Sequence, residues 1–249
     1  MNTLFQYVLV LADDALILAQ RLSEWAYKAP FLEEDIALSN ISLDLFGRAA
    51  LFLEYAALVK DDDSDADDLA FKRHEREYVN HLLCEQPNGH FGDTIIRQFL
   101  FDSFYDLFLV ELSKSNDKQL AAIASKSIKE VSYHLRHSSK WVIRLGDGTS
   151  ESNKKIQESI NKFWMYSDEF FIMNEIDKNM EKMKVGVNRE ALKSVWLKNI
   201  KKVFKEAKLE IPNETNMIVG GKQGLHTEHL GHLLSEMQYL QRAFPDAKW

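Results

Sequence analysis

Glu130, Tyr133 and His134 stand in the stretch IKEVSYHLRHS, residues 128 to 138, one step from the Glu-x-x-His pair with which long-helix bundles hold two iron ions. Such a centre takes one carboxylate from each of two helices and a Glu-x-x-His pair from each of two others. Residues i and i+3 lie on one helical face, so both donors of a pair aim inward. Four carboxylates of this chain sit among apolar neighbours: Asp14 in LADDALIL, Asp44 in ISLDLFGRA, Asp102 in QFLFDSFYDLF and Glu130 in SIKEVSYHL. A buried carboxylate is costly without a partner, so each calls for a metal, a cation or a hydrogen-bond donor. The imidazoles a di-iron centre requires are missing at the motif spacing: Gly47 follows Asp44 by three residues and Tyr133 follows Glu130 by three. Ion pairing with Arg48, Arg97, Lys129 or Arg136 is the alternative fate of these carboxylates. His134, at i+4 from Glu130, leaves a metal role open.

The elements that must position these residues are helices. The 249 residues include 4 prolines and 10 glycines, and helix formers with 3.6-residue periodicity fill the long intervals between them. The spacing predicts helices over about 3 to 27, 33 to 59, 69 to 86, 94 to 114 with Asp93 as N-cap, and 118 to 145. Further helices are predicted over about 151 to 173, 188 to 206 and 226 to 243. The acidic run KDDDSDADD and the turns PNGHFGD and LGDGTSES separate them. Four helices of roughly 20 to 28 residues would run about 30 to 42 Å. With no internal repeat and no domain-scale linker, the expectation is one all-α, ferritin-like long-helix bundle over residues 1–249, with additional C-terminal helices and a degenerate di-iron site.

Composition narrows the class. Hydrophobic residues at 45% supply a sizeable core, and a formal charge of −7 with basic residues scattered among acidic ones gives no footprint for a nucleic acid. The single cysteine, Cys84, has no intramolecular disulfide partner. Asp13, Asp14 and Arg21 interrupt the apolar N-terminal stretch where a signal or membrane-spanning core would have to lie. The expected location is the cytoplasm, without a membrane partner.

Two further stretches tempt a chemical reading. His226, His229 and His232 recur every three residues beside Glu228, but i+3 steps turn about −60° each, so His226 and His232 end about 120° apart and do not converge on one ion. A Glu228/His232 pair at i and i+4 stays geometrically open, and helix-start hydrogen bonding is the expectation there. GGKQG, residues 220 to 224, lacks the spacing and the Ser or Thr of a phosphate loop and reads as a flexible approach to the last helix. Lys72, Arg73, His74 and Arg76 form a basic cluster after the acidic run, read as a solvated first turn. Trp25, Trp141, Trp164, Phe101 and Phe104 fall at helical spacing on apolar faces, the pattern of core packing.

The segments EEDIALSNISLDLFGRA, EQPNGHFGDTIIRQFLFD, SIKEVSYHLRHSSKW and GGKQGLHTEHLGHLLSEMQYLQRAFPDAKW resemble the PaaC family, the C-type subunits of the bacterial ring 1,2-phenylacetyl-CoA epoxidase, along the whole chain. The resemblance implies a ferritin-like structural subunit of a multicomponent oxygenase, with no cofactor of its own. The implied partners are a catalytic A subunit holding di-iron, a small B subunit, and a reductase carrying flavin and an iron-sulfur cluster. The implied reaction is epoxidation of the aromatic ring of phenylacetyl-CoA with molecular oxygen, in aerobic phenylacetate breakdown. The resemblance also places the CoA arm against Glu77, Tyr78, Val79 and Asn80, and against Lys178, Asn179 and Met180. Gly47 and Tyr133 accord with a subunit that holds no iron. An autonomous di-iron oxygenase using His134, and a free-standing binding or storage bundle, are the competing classes.

Overall fold

The computed structural model describes residues 2–213, 216–245 and 247, so Asp246, Lys248 and Trp249 of the final quoted segment lie outside the described residues. In chain order the helices are α1 (Thr3–Ser23), α2 (Leu32–Lys60), α3 (Ala66–Phe71), α4 (Leu82–Glu85), α5 (Phe91–Leu112) and α6 (Lys118–Gly146). They continue with α7 (Ser150–Phe163), α8 (Glu175–Lys182), α9 (Arg189–Glu206), α10 (Glu228–Met237) and α11 (Tyr239–Ala243). Short 3-10 turns cover Glu75–Glu77, Trp164–Phe171 and Gly221–Gln223. Among the described residues there is no strand. The fold is all-α, built on long helices of the ferritin-like kind. The chain forms two compact units, residues 1–87 with 220–249, and residues 88–219.

In the first unit α1 and α2 form a hairpin. α1 is apolar around most of its circumference and buried on all sides, as such a helix must be. The Ser42 hydroxyl on α2 donates to the Ala19 carbonyl at 2.8 Å, tying the two helices together. Glu33, Glu34 and Asp35 lie in the first turn of α2, where the helix dipole favours negative charge. Asp61 ends α2 in the left-handed conformation. The second unit pairs α5 with α6 and packs α7 and α9 against them. Its centre is aromatic: Phe104 stacks on Phe170 at 4.8 Å, Trp164 lies 5.5 Å from Trp196, and the Trp196 indole donates to the Leu100 carbonyl at 3.3 Å.

Several sequence expectations give way here. A continuous helix over 69 to 86 is replaced by α3, a 3-10 turn, an extended stretch and the single turn of α4. The reason is tertiary: the Val79 and His81 backbone N–H groups are drawn to the Asp13 and Asp14 carboxylates, and a helix would have spent them internally. Asp93 is not the N-cap of α5. His90 is, its ring accepting from the Asp93 N–H at 3.3 Å, while the Asp93 carboxylate takes Lys162 at 3.1 Å. The predicted helix 151 to 173 tightens to a 3-10 form after Phe163, where Trp164, Phe170 and Phe171 turn into the aromatic core. α8 lies in a stretch for which the spacing predicts no helix. An Asn174–Asp177 capping box starts it. The last helix breaks between Met237 and Tyr239.

Candidate functional site

The polar chemistry of the first unit is concentrated where α1 meets residues 73–86 and the returning C-terminal segment. Asp13 and Asp14 are adjacent on α1, and both are buried. Arg73 donates from Nη1 to Asp13 Oδ2 at 2.9 Å and from Nη2 to Asp13 Oδ1, a two-pronged pair in the interior. The Val79 N–H adds a third bond to Asp13 at 2.9 Å. Burial pushes the Asp13 carboxyl above the ordinary range, against the pull of Arg73 and of the Val79 N–H. The Arg73 guanidinium lies 4.1 Å from the centre of the Tyr78 ring.

Asp14 receives the His81 N–H and the His81 ring Nδ1, each at 2.7 Å, and Cys84 Sγ lies 3.7 Å away. Next along the chain, Glu85 is fully buried and carries a second imidazole. His226 Nδ1 lies 2.8 Å from Glu85 Oε2, and Nε2 lies 2.8 Å from the Tyr78 carbonyl. Both neighbours are acceptors, so the two bonds together require a ring protonated on both nitrogens. Burial opposes that charge, but the Glu85 carboxylate and the Tyr78 carbonyl prevail and hold the His226 imidazole above its ordinary pKa. The Thr227 N–H and hydroxyl bond Glu85 Oε1 at 2.6 and 2.7 Å, and Asn80 Nδ2 reaches Oε2 at 2.9 Å. Arg21 completes the knot by donating to the Glu85 carbonyl at 2.9 and 2.8 Å and to the His229 carbonyl at 3.0 Å.

In the second unit Asp102 on α5 is buried, taking Gln98 Nε2 at 2.7 Å on one oxygen and the Ser138 hydroxyl of α6 at 3.1 Å on the other. α6 buries Val131, His134, Ser138 and Val142 along one stripe. His134 therefore faces inward. Tyr133 is 44% exposed, with the Arg136 guanidinium over its ring at 5.4 Å. The expectation that Tyr133 fills the inward place of the missing imidazole is corrected by this rotation, and Glu130 itself is half-buried. α2 behaves alike: Asp44 is half-buried, Arg48 at i+4 is buried, and Gly47 at i+3 is exposed with open space where a Cβ would project.

The four expected carboxylates thus divide, Asp14 and Asp44 in the first unit, Asp102 and Glu130 in the second. These residues do not fit a carboxylate-bridged iron pair. Asp14 and Asp102 are committed to protein donors, and the positions that should carry imidazoles point outward. Of the stretch expected against CoA, Tyr78 and Asn80 are buried in the knot, with Gln238 Nε2 on the Tyr78 hydroxyl at 2.8 Å. Val79 is half-buried and Glu77 is exposed, its carboxylate accepting the His74 N–H at 2.6 Å. Lys178 and Asn179 are exposed on α8, and Met180 is buried.

Sequence reasoning misses Asp13, Arg73, His81, Glu85 and His226 as one network. It places Arg73 in a solvated turn, whereas the residue is 8% exposed and its side chain faces the interior. A usable signal is the adjacency of Asp13 and Asp14 in a helix with no polar face: both carboxylates have to be answered from elsewhere in the chain.

A family model described as phenylacetic acid catabolic protein, PaaA_PaaC, matches residues 1–249. The C subunit of the 1,2-phenylacetyl-CoA epoxidase of Escherichia coli (strain K12) is 48% identical over 249 residues, covering 100% of both chains. The chain belongs to the PaaA_PaaC family of phenylacetic acid catabolic proteins.

Proposed function

We propose that this chain is the structural C subunit of a multicomponent, cytoplasmic oxygenase that epoxidises the aromatic ring of phenylacetyl-CoA in phenylacetate catabolism, and that it is not itself catalytic. The observation that supports this most is the match to the C subunit of an epoxidase over the full length of both chains at 48% identity. The outward rotation of Gly47 and Tyr133 supports the non-catalytic half of the reading. The partners are a catalytic A subunit, a small B subunit and a reductase. The di-iron centre belongs to the A subunit, and the flavin and iron-sulfur cluster to the reductase. This chain contributes a rigid helical support, its internal charges neutralised by its own donors. Where the CoA arm reaches it, Lys178 and Asn179, exposed on α8, offer a cation and an amide to a phosphate.

Co-expression with the A subunit, followed by separation of the two proteins and iron analysis of each, tests the reading. The expected result is a stable complex with iron in the A subunit. Near two irons per chain in this protein expressed alone would establish the autonomous oxygenase instead. Failure to pair with the A subunit would favour the free-standing bundle.

A further inference from the structure

The C-terminal segment, from Gly224 to Phe244, closes over residues 73–86 and is fastened by a small number of polar bonds. α10 packs on α1, on α4 and on the 3-10 turn Glu75–Glu77. It buries three side chains, Leu230, Leu233 and Leu234, and α11 buries none. Helices of ten and five residues are too short to persist in water without such packing. The outer edge of the segment is thinly supported: a hollow of about 620 Å³ is walled by its Gly231, Ser235, Tyr239 and Arg242 together with His74 and Glu75.

The fastenings are few. Gln238 donates to the Arg73 carbonyl at 3.0 Å and to the Tyr78 hydroxyl, and Arg242 donates to the Arg73 carbonyl at 2.9 Å. Arg21 holds the His229 carbonyl, and the His226–Thr227 corner is seated on Glu85. Of these bonds only that of His226 is made by a group that titrates near neutral pH. Its side chain is fully buried. Both of its neighbours are acceptors, and a neutral ring carries a single N–H. Loss of the proton therefore sets a nitrogen lone pair against the Glu85 carboxylate or the Tyr78 carbonyl at 2.8 Å, and the ring has to leave one of them.

The surrounding charges offer no substitute cation. Asp13 is paired with Arg73, Asp14 with His81, and Arg21 with Glu24 at 2.9 Å. The remaining N–H groups of Arg21 go to the Glu85 main-chain carbonyl and the His229 carbonyl. Thr227 and Asn80, the other donors on the Glu85 carboxylate, are neutral. On the side of the 3-10 turn stand His74, Glu75, Arg76 and Glu77, all exposed, and on the segment itself Lys222, Glu228 and His229. A neutral His226 thus leaves the buried Glu85 carboxylate without a counter-charge in contact.

We infer that residues 225–244 form a pH-sensitive strap, closed over residues 73–86 while His226 is protonated and released as one piece when it is not. The fold holds this imidazole above its ordinary pKa, so the strap is shut on the acid side and loosens as pH rises through the folded value. GGKQG stays seated, because Gly221 and Gly224 lie against the Asn80 and Arg76 carbonyls, and the left-handed Gly224 is where the moving part begins. Release uncovers the Arg73 and Tyr78 carbonyls and the Glu85 carboxylate, so it governs what can reach residues 73–85. The strap is a property of this unit alone, whatever partner the chain takes.

Hydrogen exchange of the full chain, followed by mass spectrometry and divided by the intrinsic rate at each pH, tests the strap. Between about pH 6 and about pH 9 the protection of α10 and α11 should fall by at least about 10-fold, the ratio for losing one hydrogen bond to a charged group, while α2 and α6 keep theirs. In His226→Gln the protection should no longer change with pH, and in His229→Gln/His232→Gln the fall should persist. An unchanging profile in the parent, or an equal fall in α2 and α6, would overturn the strap without recourse to any variant. The same fall in His226→Gln, or its loss in the His229→Gln/His232→Gln protein, would overturn His226 as the switch.

Discussion

The imidazole of His226 bridges the Glu85 carboxylate and the Tyr78 carbonyl at 2.8 Å each, joining the C-terminal segment to residues that precede it by 141 and 148 positions. Two acceptors on one ring make this a charged clasp. Its folded pKa is raised above the ordinary value of about 6.5, so its stabilisation is full below that pH and is lost as pH rises through the folded pKa. The difference in denaturant midpoint between the parent and His226→Gln should therefore shrink as the solution is taken from mildly acid to mildly alkaline. A difference that stays flat across that range would show that folding does not raise the pKa of this ring, and one that grows with pH would show that the fold holds it neutral.

The Asp13–Arg73 pair is costly to break from one side. Asp13→Ala leaves the buried Arg73 side chain, 9% exposed, without its carboxylate, and should cost about 3–5 kcal/mol in chemical denaturation. Asp13→Leu combined with Arg73→Met removes both charges and should recover much of the loss. Recovery should stop short of the parent by about 1–3 kcal/mol, because the Val79 N–H then has no acceptor.

The glycines of GGKQG serve close approach rather than flexibility. A Cβ on Gly221 would stand 2.0 Å from the Asn80 carbonyl oxygen, and one on Gly224 would stand 2.4 Å from the Arg76 carbonyl oxygen. Gly220 and Gly224 also take φ of 151° and 72°, where side chains are strained. Gly221→Ala should destabilise by about 1–3 kcal/mol, as overpacking does, and should speed amide exchange in α10. Gly47→Ala, on the open side of α2, should stabilise the isolated chain slightly through helix propensity. If the two alanines cost the same, seating of the C-terminal segment is not what Gly221 provides.

What can be read in the sequence follows from periodicity. α1, α2, α5, α6 and α9 lie within a few residues of the predicted spans because each carries its apolar pattern over many turns. The segment from Arg73 to Glu85 departs from its predicted helix because its backbone answers Asp13 and Asp14, and no local pattern encodes a bond spanning 66 residues. The apolar surroundings of Asp14 and Asp102 single out both carboxylates, and Gln98, four residues before Asp102 on α5, is within reach of helical spacing, yet nothing near them points to His81 or Ser138. A partner's identity depends on which helix packs where, and spacing within one helix does not carry that information.

The i+3 places on α2 and α6 give the sharpest check on the missing imidazoles. Gly47 and Tyr133 face outward, while the inward i+4 places hold Arg48 and His134. Installing histidines by Gly47→His and Tyr133→His would complete both motifs in sequence, but would add two exposed rings about 100° around each helix from the buried side chain that follows. The doubly substituted protein, incubated anaerobically with ferrous iron and desalted, should retain no more iron than the parent. It should also fail to develop the visible and near-ultraviolet absorption of an oxo-bridged iron pair on exposure to air. Two tightly held irons in the variant and none in the parent would mean that α2 and α6 can turn those positions inward, and that two side chains rather than helix rotation decide whether this chain holds iron.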